Sequence, residues 1–326
     1  MSQSEVEELL DLVKLAGANW AVALEALYDP LKAEIQGGDG FIRRVKEFSE
    51  EGRKLEISAA LDVFKGANSL AGLDQKINSL ADTFWETNRR FSAPIYYDHI
   101  SLLAKPQLID GKPVLVEMAA ALASQKTPAI VADRLKALLS RLVNESLSQA
   151  NKSNAGGAGE NLVRAVLLAA GLEKDKNFRE QYKSKSGSDT DFAFPNVADG
   201  QDQKVLAFVA VQMSSNDRTR LTSSELKTGA KKYAFTGNGL NASKKNLQDI
   251  GDQIVEGLKS SMVILVCYGP EIAKEKQRIA TGLAATANTT DAQKLKTLKL
   301  KERLEYFEHY TLSIEDFANT MKKQFS

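Results

Sequence analysis

Two short apolar runs in the second half of the chain most strongly restrict the fold that it can adopt. Val205 to Met213 follows an Asp199-Gly200 turn and is typical of a mostly apolar strand. Met262 to Tyr268 is apolar on both of its faces. A strand with two apolar faces must be covered on both sides, which is the usual position of a central, parallel strand between helices. The runs therefore predict an α/β fold with a mixed sheet flanked by helices.

The first 150 residues instead show the periodicity of helices. Their clearest apolar stripe falls at the i, i+3, i+4 and i+7 positions of Leu135, Leu138, Leu139 and Leu142. The segment from Asn151 to Gly159 is rich in glycine and small polar residues, and it predicts a linker or a helix-entry loop. We therefore expect a mainly helical region over residues 1–150 and an α/β domain over residues 151–326.

The second half alternates helices and strands. Its predicted order is a helix at Glu160 to Ala170, strands at Ser188 to Pro195, Val205 to Met213 and Tyr233 to Thr236, a helix at Lys244 to Lys259, and the strand Met262 to Tyr268. The C-terminal tail is predicted to hold a basic helical stretch, Lys294 to Arg303, and a final helix near Glu315 to Phe325.

The chain contains one cysteine and two histidines, which excludes several kinds of site. Cys267 alone cannot form an intramolecular disulfide or a cysteine-based zinc site, and its apolar neighbours favour a buried thiol over a reactive one. His99 and His309 lie in unrelated contexts and are expected at the surface or the core edge. Hydrolytic chemistry must then rest on carboxylates, amides and lysines. An acidic N-terminus without a signal-peptide pattern, and the absence of a long apolar run, favour a cytoplasmic protein without membrane contact.

The order of helix, three strands, helix and strand, with Asp191 on the strand before Phe192, resembles the common core of the PD-(D/E)xK nuclease superfamily, best known from type II restriction endonucleases. The resemblance covers about 110 residues, from Glu160 to Gly269. It implies that Asp191 binds a divalent metal, Mg²⁺, that Asp189 is the nearest substitute on the same face, and that Glu160 is the acidic residue of the first core helix.

The next strand departs from the family's pattern. Gln212 and Ser214 occupy the positions, two apart on one face, where the family carries an acidic residue and a lysine. Gln212 could supply an amide oxygen to the metal or orient a water, whereas Ser214 cannot replace an ammonium group. Glu225 and Lys227 form a Glu-x-Lys pair just beyond the strand and are the candidates to supply the missing carboxylate and ammonium.

A basic, polar segment follows the same strand. The net charge of the chain is only +1, but residues 1–100 sum to about −6 and residues 201–250 to about +4. Hydrogen-bonding and cationic side chains at these positions suit contacts with a DNA backbone and base edges, although a plain solvated loop has the same composition. The candidate DNA-binding residues are Ser215, Asn216, Asp217, Arg218, Arg220, Lys231 and Lys232.

The resemblance implies a type II restriction endonuclease that hydrolyses DNA phosphodiester bonds with Mg²⁺ at a specific double-stranded site. The helical N-terminal region would then supply dimerisation or DNA-site contacts, a homodimer would suit a palindromic site, and a cognate DNA methyltransferase would belong to the same system. The alternative is a non-catalytic DNA-binding protein with a degenerate nuclease fold, which the pair Gln212 and Ser214 favours.

Overall fold

The computed structural model describes residues 20–66, 69–185, 189–213, 229–243, 245–285 and 290–326. As far as it describes them, Met1–Ile57 and Glu86–Asn154 form one compact unit, unit 1, and Ser58–Trp85 and Ala155–Ser326 form a second, unit 2. Ser58–Trp85 thus belongs to unit 2 although it precedes residue 150. The functional division into residues 1–150 and 151–326 stays a prediction.

The described part of unit 1 consists of helices joined by turns and short loops, and its core has the predicted apolar stripe. Leu135, Leu139 and Leu142 are fully buried, and Leu138 packs against them from a half-buried position. Across both units, the first seven helices of the described residues are α1 (Trp20–Gln36), α2 (Phe41–Asp62), α3 (Leu73–Tyr97), α4 (His99–Leu102), α5 (Pro106–Ile109), α6 (Pro113–Ala123) and α7 (Ala129–Ala169).

Unit 2 is built on a six-stranded mixed sheet whose spatial order follows the chain order. Neighbours from β1 to β3 are antiparallel, and neighbours from β3 to β6 are parallel. The predicted parallel strand at Met262 to Tyr268 is confirmed, since β5 has a parallel neighbour on each side. The strands are β1 (Arg179–Lys183), β2 (Asp189–Phe194), β3 (Ala207–Gln212), β4 (Lys231–Thr236), β5 (Val263–Cys267) and β6 (Thr311–Ser313).

Helices cover both faces of this sheet. The later helices are α8 (Asp252–Ser260), α9 (Gly269–Ala285), α10 (Asp291–His309) and α11 (Ile314–Phe325). Ala234 of β4 belongs to the core cluster formed with α8, α9 and α10. The adjacent residue, Tyr233, points to the other face, where its ring lies 5.3 Å from that of Phe317 on α11. The expected α/β class, with a mixed sheet flanked by helices, is confirmed.

The first turn of α3 joins unit 2 through a buried carboxylate. Asp74 accepts hydrogen bonds from the backbone N–H groups of Gly269 at 2.7 Å and of Ile314 and Glu315 at 3.3 Å. These N–H groups lie at the first turns of α9 and α11, where intrahelical acceptors are missing and a negative charge is stabilised. One side chain therefore connects the starts of three helices.

Two predicted elements are wrong in their extent. Asn151 to Gly159 is not a linker, because α7 continues through it without a break. Buried apolar residues on both sides, such as Leu147 and Leu162, outweigh the low helix propensity of the three glycines in this segment. The helix predicted from Lys244 to Lys259 begins only at Asp252, since Gly251 has an extended backbone, and a short 3-10 turn (Leu247–Asp249) precedes it; Lys244 itself lies outside the described residues.

The buried thiol expected at Cys267 is confirmed. Cys267 is fully buried, and burial strongly raises the pKa of its thiol, which keeps it protonated. His99, expected at the surface or the core edge, is instead buried, with its Nε2 3.0 Å from the hydroxyl oxygen of Ser140, whereas His309 is exposed. In the part of the chain that the structure describes, no helix is long and apolar enough to cross a membrane.

A buried guanidinium holds α8, α9 and α10 together. Arg303 on α10 donates from Nε to Glu275 of α9 at 2.7 Å, and from its terminal nitrogens to the carbonyls of Ile250 at 2.6 Å and Leu247 at 2.9 Å. The side chains of Arg303 and Glu275 are only 4% and 3% exposed. Arg278 completes the cluster with two hydrogen bonds of 2.7 Å to the Glu275 carboxylate. The predicted basic helix therefore contributes a structural arginine to the core.

We expect Glu275→Gln to lower the free energy of unfolding by about 3–5 kcal/mol at neutral pH, because it leaves the Arg303 charge buried without its carboxylate. Chemical denaturation measures this loss. Glu308→Gln removes an exposed acid from α10 and should change stability by less than about 0.5 kcal/mol. Similar losses in both variants would contradict the structural role of Glu275.

The same pair predicts how stability depends on pH. Burial acts to raise the pKa of Glu275, but hydrogen bonds from Arg278 and Arg303 outweigh it and hold the pKa below the ordinary value of 4.5. A carboxyl group with a lowered folded pKa contributes stability above its unfolded pKa and loses it as the pH falls through the folded pKa. The difference between wild type and Glu275→Gln should therefore shrink below about pH 4.5.

Candidate functional site

Asp191 lies on β2 and reaches the neighbouring strand. Its half-buried carboxylate accepts a hydrogen bond of 2.7 Å from the backbone N–H of Val211 on β3. Burial raises the pKa of Asp191 above its ordinary value, and the Val211 hydrogen bond offsets that shift only in part. Among the described residues, no arginine or lysine contributes to this shift.

Glu160 is brought to the same place by α7. Burial raises the pKa of this half-buried carboxyl group, and the negative charge of Asp191 raises it further. A hydrogen bond from the Gln181 side chain and the positive charge of Arg164 act in the opposite direction and are weaker. The structure therefore brings together the two acids that the sequence singled out, and each has a raised pKa.

A close approach of helix and sheet sets this position. A Cβ atom on Gly159 would lie 2.7 Å from a methyl carbon of Val211 and 2.8 Å from the sulfur of Met213. The α7 backbone thus packs directly on the end of β3, with room for hydrogen alone. Glu160 follows immediately, and Val211 is the residue whose N–H binds Asp191, so this contact places both acids at one end of the strand pair.

Glu180, a nearby acid on β1, has a lowered pKa, whereas the pKa values of Glu160 and Asp191 are raised. Glu180 forms ion pairs with Arg164 at 2.6 Å and Lys174 at 2.9 Å, and its side chain is 9% exposed. Burial acts to raise the pKa of Glu180, but hydrogen bonds from Arg164 and Lys174 outweigh it and lower the pKa. Cations therefore outweigh burial at Glu180, whereas burial dominates the pKa at Glu160 and at Asp191.

The other predicted site residues on described strands lie close by or at the strand start. Gln212 is the last residue of β3, half-buried, next to Val211 and level with Thr236 of β4; its carbonyl accepts a hydrogen bond of 2.9 Å from Gly237. Asp189 is exposed at the start of β2, opposite Lys183 of β1.

Lys231 and Lys232 begin β4, level with Ala207 and Phe208 at the start of β3. Because β3 and β4 are parallel, this is the opposite end of the strands from Gln212, about 16 Å away along the sheet. The structure therefore does not bring these two lysines to the end of β3 where the Gln212 side chain begins.

Several predicted residues fall outside the described part of the chain. They are the catalytic candidates Ser214, Glu225 and Lys227 and the DNA-binding candidates Ser215, Asn216, Asp217, Arg218 and Arg220. Their assignments stay predictions.

The carboxylates of Glu160 and Asp191 suit a hard cation that takes only a few ligands from the protein. Across the described ranges there is no group of three or more His, Cys, Asp or Glu side chains that could hold a metal ion. Mg²⁺ is usually bound by one or two carboxylates, with waters and substrate phosphates completing its octahedron. Glu160 and Asp191 fit that pattern, since a divalent cation would relieve the repulsion that raises the pKa of Glu160.

Sequence reasoning missed three contributors to this site. Gln181 lies in β1, which was not predicted because Arg179–Lys183 is almost entirely polar. Its φ of 52° is unusual for a non-glycine residue in a strand, and its side chain binds Glu160. The Val211 N–H is a backbone group, so the residue type at this position gives no indication of its role. Gly159 could have been suspected, because a glycine directly before a candidate acid is consistent with close packing.

Comparisons with known proteins do not identify the chain: no family model, curated protein or solved structure matches it.

We expect Gly159→Ala to destabilise unit 2 by about 1–3 kcal/mol, because the new methyl group overpacks against Val211 and Met213. Gly157→Ala is the matched control, since nothing lies within 4 Å of a Cβ atom at Gly157. That variant should gain up to about 1 kcal/mol from helix propensity. Chemical denaturation of both variants measures the contrast, and equal stabilisation would show that α7 does not approach β3 this closely.

We expect Glu160→Gln to raise the free energy of unfolding at pH 7 by roughly 1 kcal/mol, the usual size of stabilising substitutions. A carboxyl group with a raised folded pKa opposes folding when ionised, and this cost disappears as the pH falls through its folded pKa. The gain should therefore be largest at neutral pH and fade on acidification in urea titrations. A loss of stability at pH 7 would indicate that Glu160 is a structural acid.

Proposed function

We propose that the protein is a Mg²⁺-dependent DNA endonuclease of the type II restriction kind. The observation that carries this proposal is the convergence of Glu160 from α7 and Asp191 from β2 beside the end of β3. The arrangement around this pair supports it: α7 precedes three strands with antiparallel neighbours, and β4 adds in parallel to β3. The nuclease superfamily that the sequence resembles combines a helix acid and a strand aspartate in this way.

Glu160 and Asp191 would hold the metal, and the exposed carboxylate of Asp189 is the nearest further ligand on β2. When bound, Mg²⁺ would supply Lewis-acid stabilisation of the phosphodiester oxygen and lower the pKa of water. Gln212 would orient a water or offer its amide oxygen, and Gln181 would hold the Glu160 carboxylate in position. Glu225 and Lys227 are proposed to supply the further carboxylate and the ammonium group. Ser214, two residues after Gln212, is a further candidate of the same site.

The proposed substrate is double-stranded DNA, contacted by residues of the basic segment. These are Ser215, Asn216, Asp217, Arg218, Arg220, Lys231 and Lys232. A homodimer reading a palindromic site, a cognate DNA methyltransferase and a cytoplasmic location belong to the same proposal, as general properties of such systems.

A second candidate function is non-catalytic DNA binding by a degenerate nuclease fold. The observation that favours it is the amide of Gln212 at the end of β3, where an active enzyme would carry a carboxylate. Under this alternative the Glu160 and Asp191 pair would bind a cation or a proton without cleaving DNA.

Cleavage of unmethylated plasmid DNA separates the two candidates. Wild type with Mg²⁺ should yield discrete fragments, and Asp191→Asn should reduce the rate about a hundredfold or more. Glu308→Gln, which removes an exposed acid from α10, serves as the control and should cut at the wild-type rate. EDTA should abolish cutting in every sample.

A gel-shift assay on the same samples completes the test. Retarded DNA without cutting, across Mg²⁺, Mn²⁺ and Ca²⁺ and over a range of salt, would exclude the endonuclease and support the non-catalytic alternative. The absence of both cutting and retardation would exclude both candidates.

A further inference from the structure

A concave groove lies between α8, α9 and α10 of unit 2. The candidate nuclease residues Glu160, Asp191 and Gln212 lie on other elements, α7, β2 and β3. Its volume is about 570 Å³, within the range of small-molecule binding sites. One wall is formed by the start of α8 and the residues before it. The opposite wall is one face of α10, formed by residues spaced three or four apart between Ala292 and Arg303. Arg278 of α9 lines it as well.

Cations outnumber acids along these walls. Arg278, Lys296, Lys299 and Arg303 line the groove, against a single carboxylate, Asp252. Asp252 already lies 3.2 Å from Arg303, so it does not cancel the lysines. Among the described residues, no carboxylate lies within ion-pair distance of Lys296 or Lys299. Two exposed lysines one turn apart on α10 therefore line the groove without an ion-pair partner among the described residues.

The floor beneath these lysines is rigid. Arg303 is fixed by Glu275 and by the carbonyls of Ile250 and Leu247, and Arg278 is fixed by the same Glu275 carboxylate. Gly251 at the N-cap position of α8 makes no side-chain capping hydrogen bond, and Asp252 in the first turn carries the negative charge that offsets the helix dipole there. Glu275 and Asp252 balance the charges of Arg303 and Arg278, so the net positive charge of the groove comes from Lys296 and Lys299, which can pair with an anion that carries several oxygens.

The walls are also partly apolar. Ile250, Leu295 and Leu300 line the groove beside the lysines, and Leu295 is 55% exposed. An extended DNA backbone would require cations spread along a longer surface. A short concave groove with apolar walls at one side and ammonium groups at the other suits a small ligand with an apolar or ring portion.

We propose that this groove binds a phosphorylated small molecule of nucleotide size, with its phosphates on Lys296 and Lys299 and its ring portion against Leu295 and Leu300. This site is independent of the proposed nuclease activity, since it shares no residue with the Glu160 and Asp191 pair.

Calorimetric titration of the full chain with ATP and with inorganic pyrophosphate tests the site. Both probes should bind, and the double variant Lys296→Gln/Lys299→Gln should weaken binding by about tenfold or more. The matched control is Lys294→Gln/Lys301→Gln, which removes the same charge from the same helix outside the groove lining. The control should change affinity by less than about threefold. Thermal melts of both variants verify that the exposed lysines can be replaced without unfolding.

Adenosine and a short DNA duplex provide the remaining comparisons. Adenosine, which lacks phosphate, should bind far more weakly than ATP. The proposal is overturned if neither ATP nor pyrophosphate binds, if both double variants weaken binding equally, or if the duplex alone depends on Lys296 and Lys299.

Discussion

The close contact between the α7 backbone and the end of β3 is the constraint on which the candidate site depends. Gly159 allows that contact because its hydrogen fits where a methyl group would meet Val211 and Met213. Gly237 accommodates Met213 from the other side, where an added Cβ atom would lie 2.7 Å from its terminal carbon. The helix can then present Glu160 to the strand pair at the point where Val211 holds Asp191. A bulkier residue at Gly159 would overpack against Val211 and Met213 and push the helix away from the strand pair.

Four acids at the edge of the core of unit 2 fall into two electrostatic groups. Glu180 and Glu275 are paired with arginines or lysines, and hydrogen bonds from these cations lower the pKa of each carboxyl group despite burial. Glu160 and Asp191 are also partly buried, but burial dominates and raises the pKa of each. The first arrangement stabilises the fold, whereas the second costs stability at neutral pH. Perturbed groups that are left uncompensated in this way cluster at functional sites.

Much of the sheet could be predicted from the sequence because its buried strands consist mainly of apolar residues. The apolar strand β5 was recognisable, as were β2 to β4 and the helix face of Leu135 and Leu139. The polar strand β1 was missed because its residues pair through charges to α7, as Glu180 does with Arg164. Asn151 to Gly159 was misjudged because local propensity predicts a loop, while packing on both sides keeps the segment helical. Glu160 and Asp191 could be named as candidates. Their proximity could not be predicted, because it depends on tertiary contacts between α7 and the sheet and not on the number of residues between the two acids.

The account depends most on Glu160 and Asp191 sharing one electrostatic environment. An NMR titration of the Glu160 carboxyl carbon, in wild type and in Asp191→Asn, measures this directly in the absence of metal. The account predicts a Glu160 pKa above its ordinary value of 4.5 in wild type, and a lower pKa once the charge of Asp191 is removed. An ordinary Glu160 pKa that does not change in Asp191→Asn would show that the two carboxylates do not form one site.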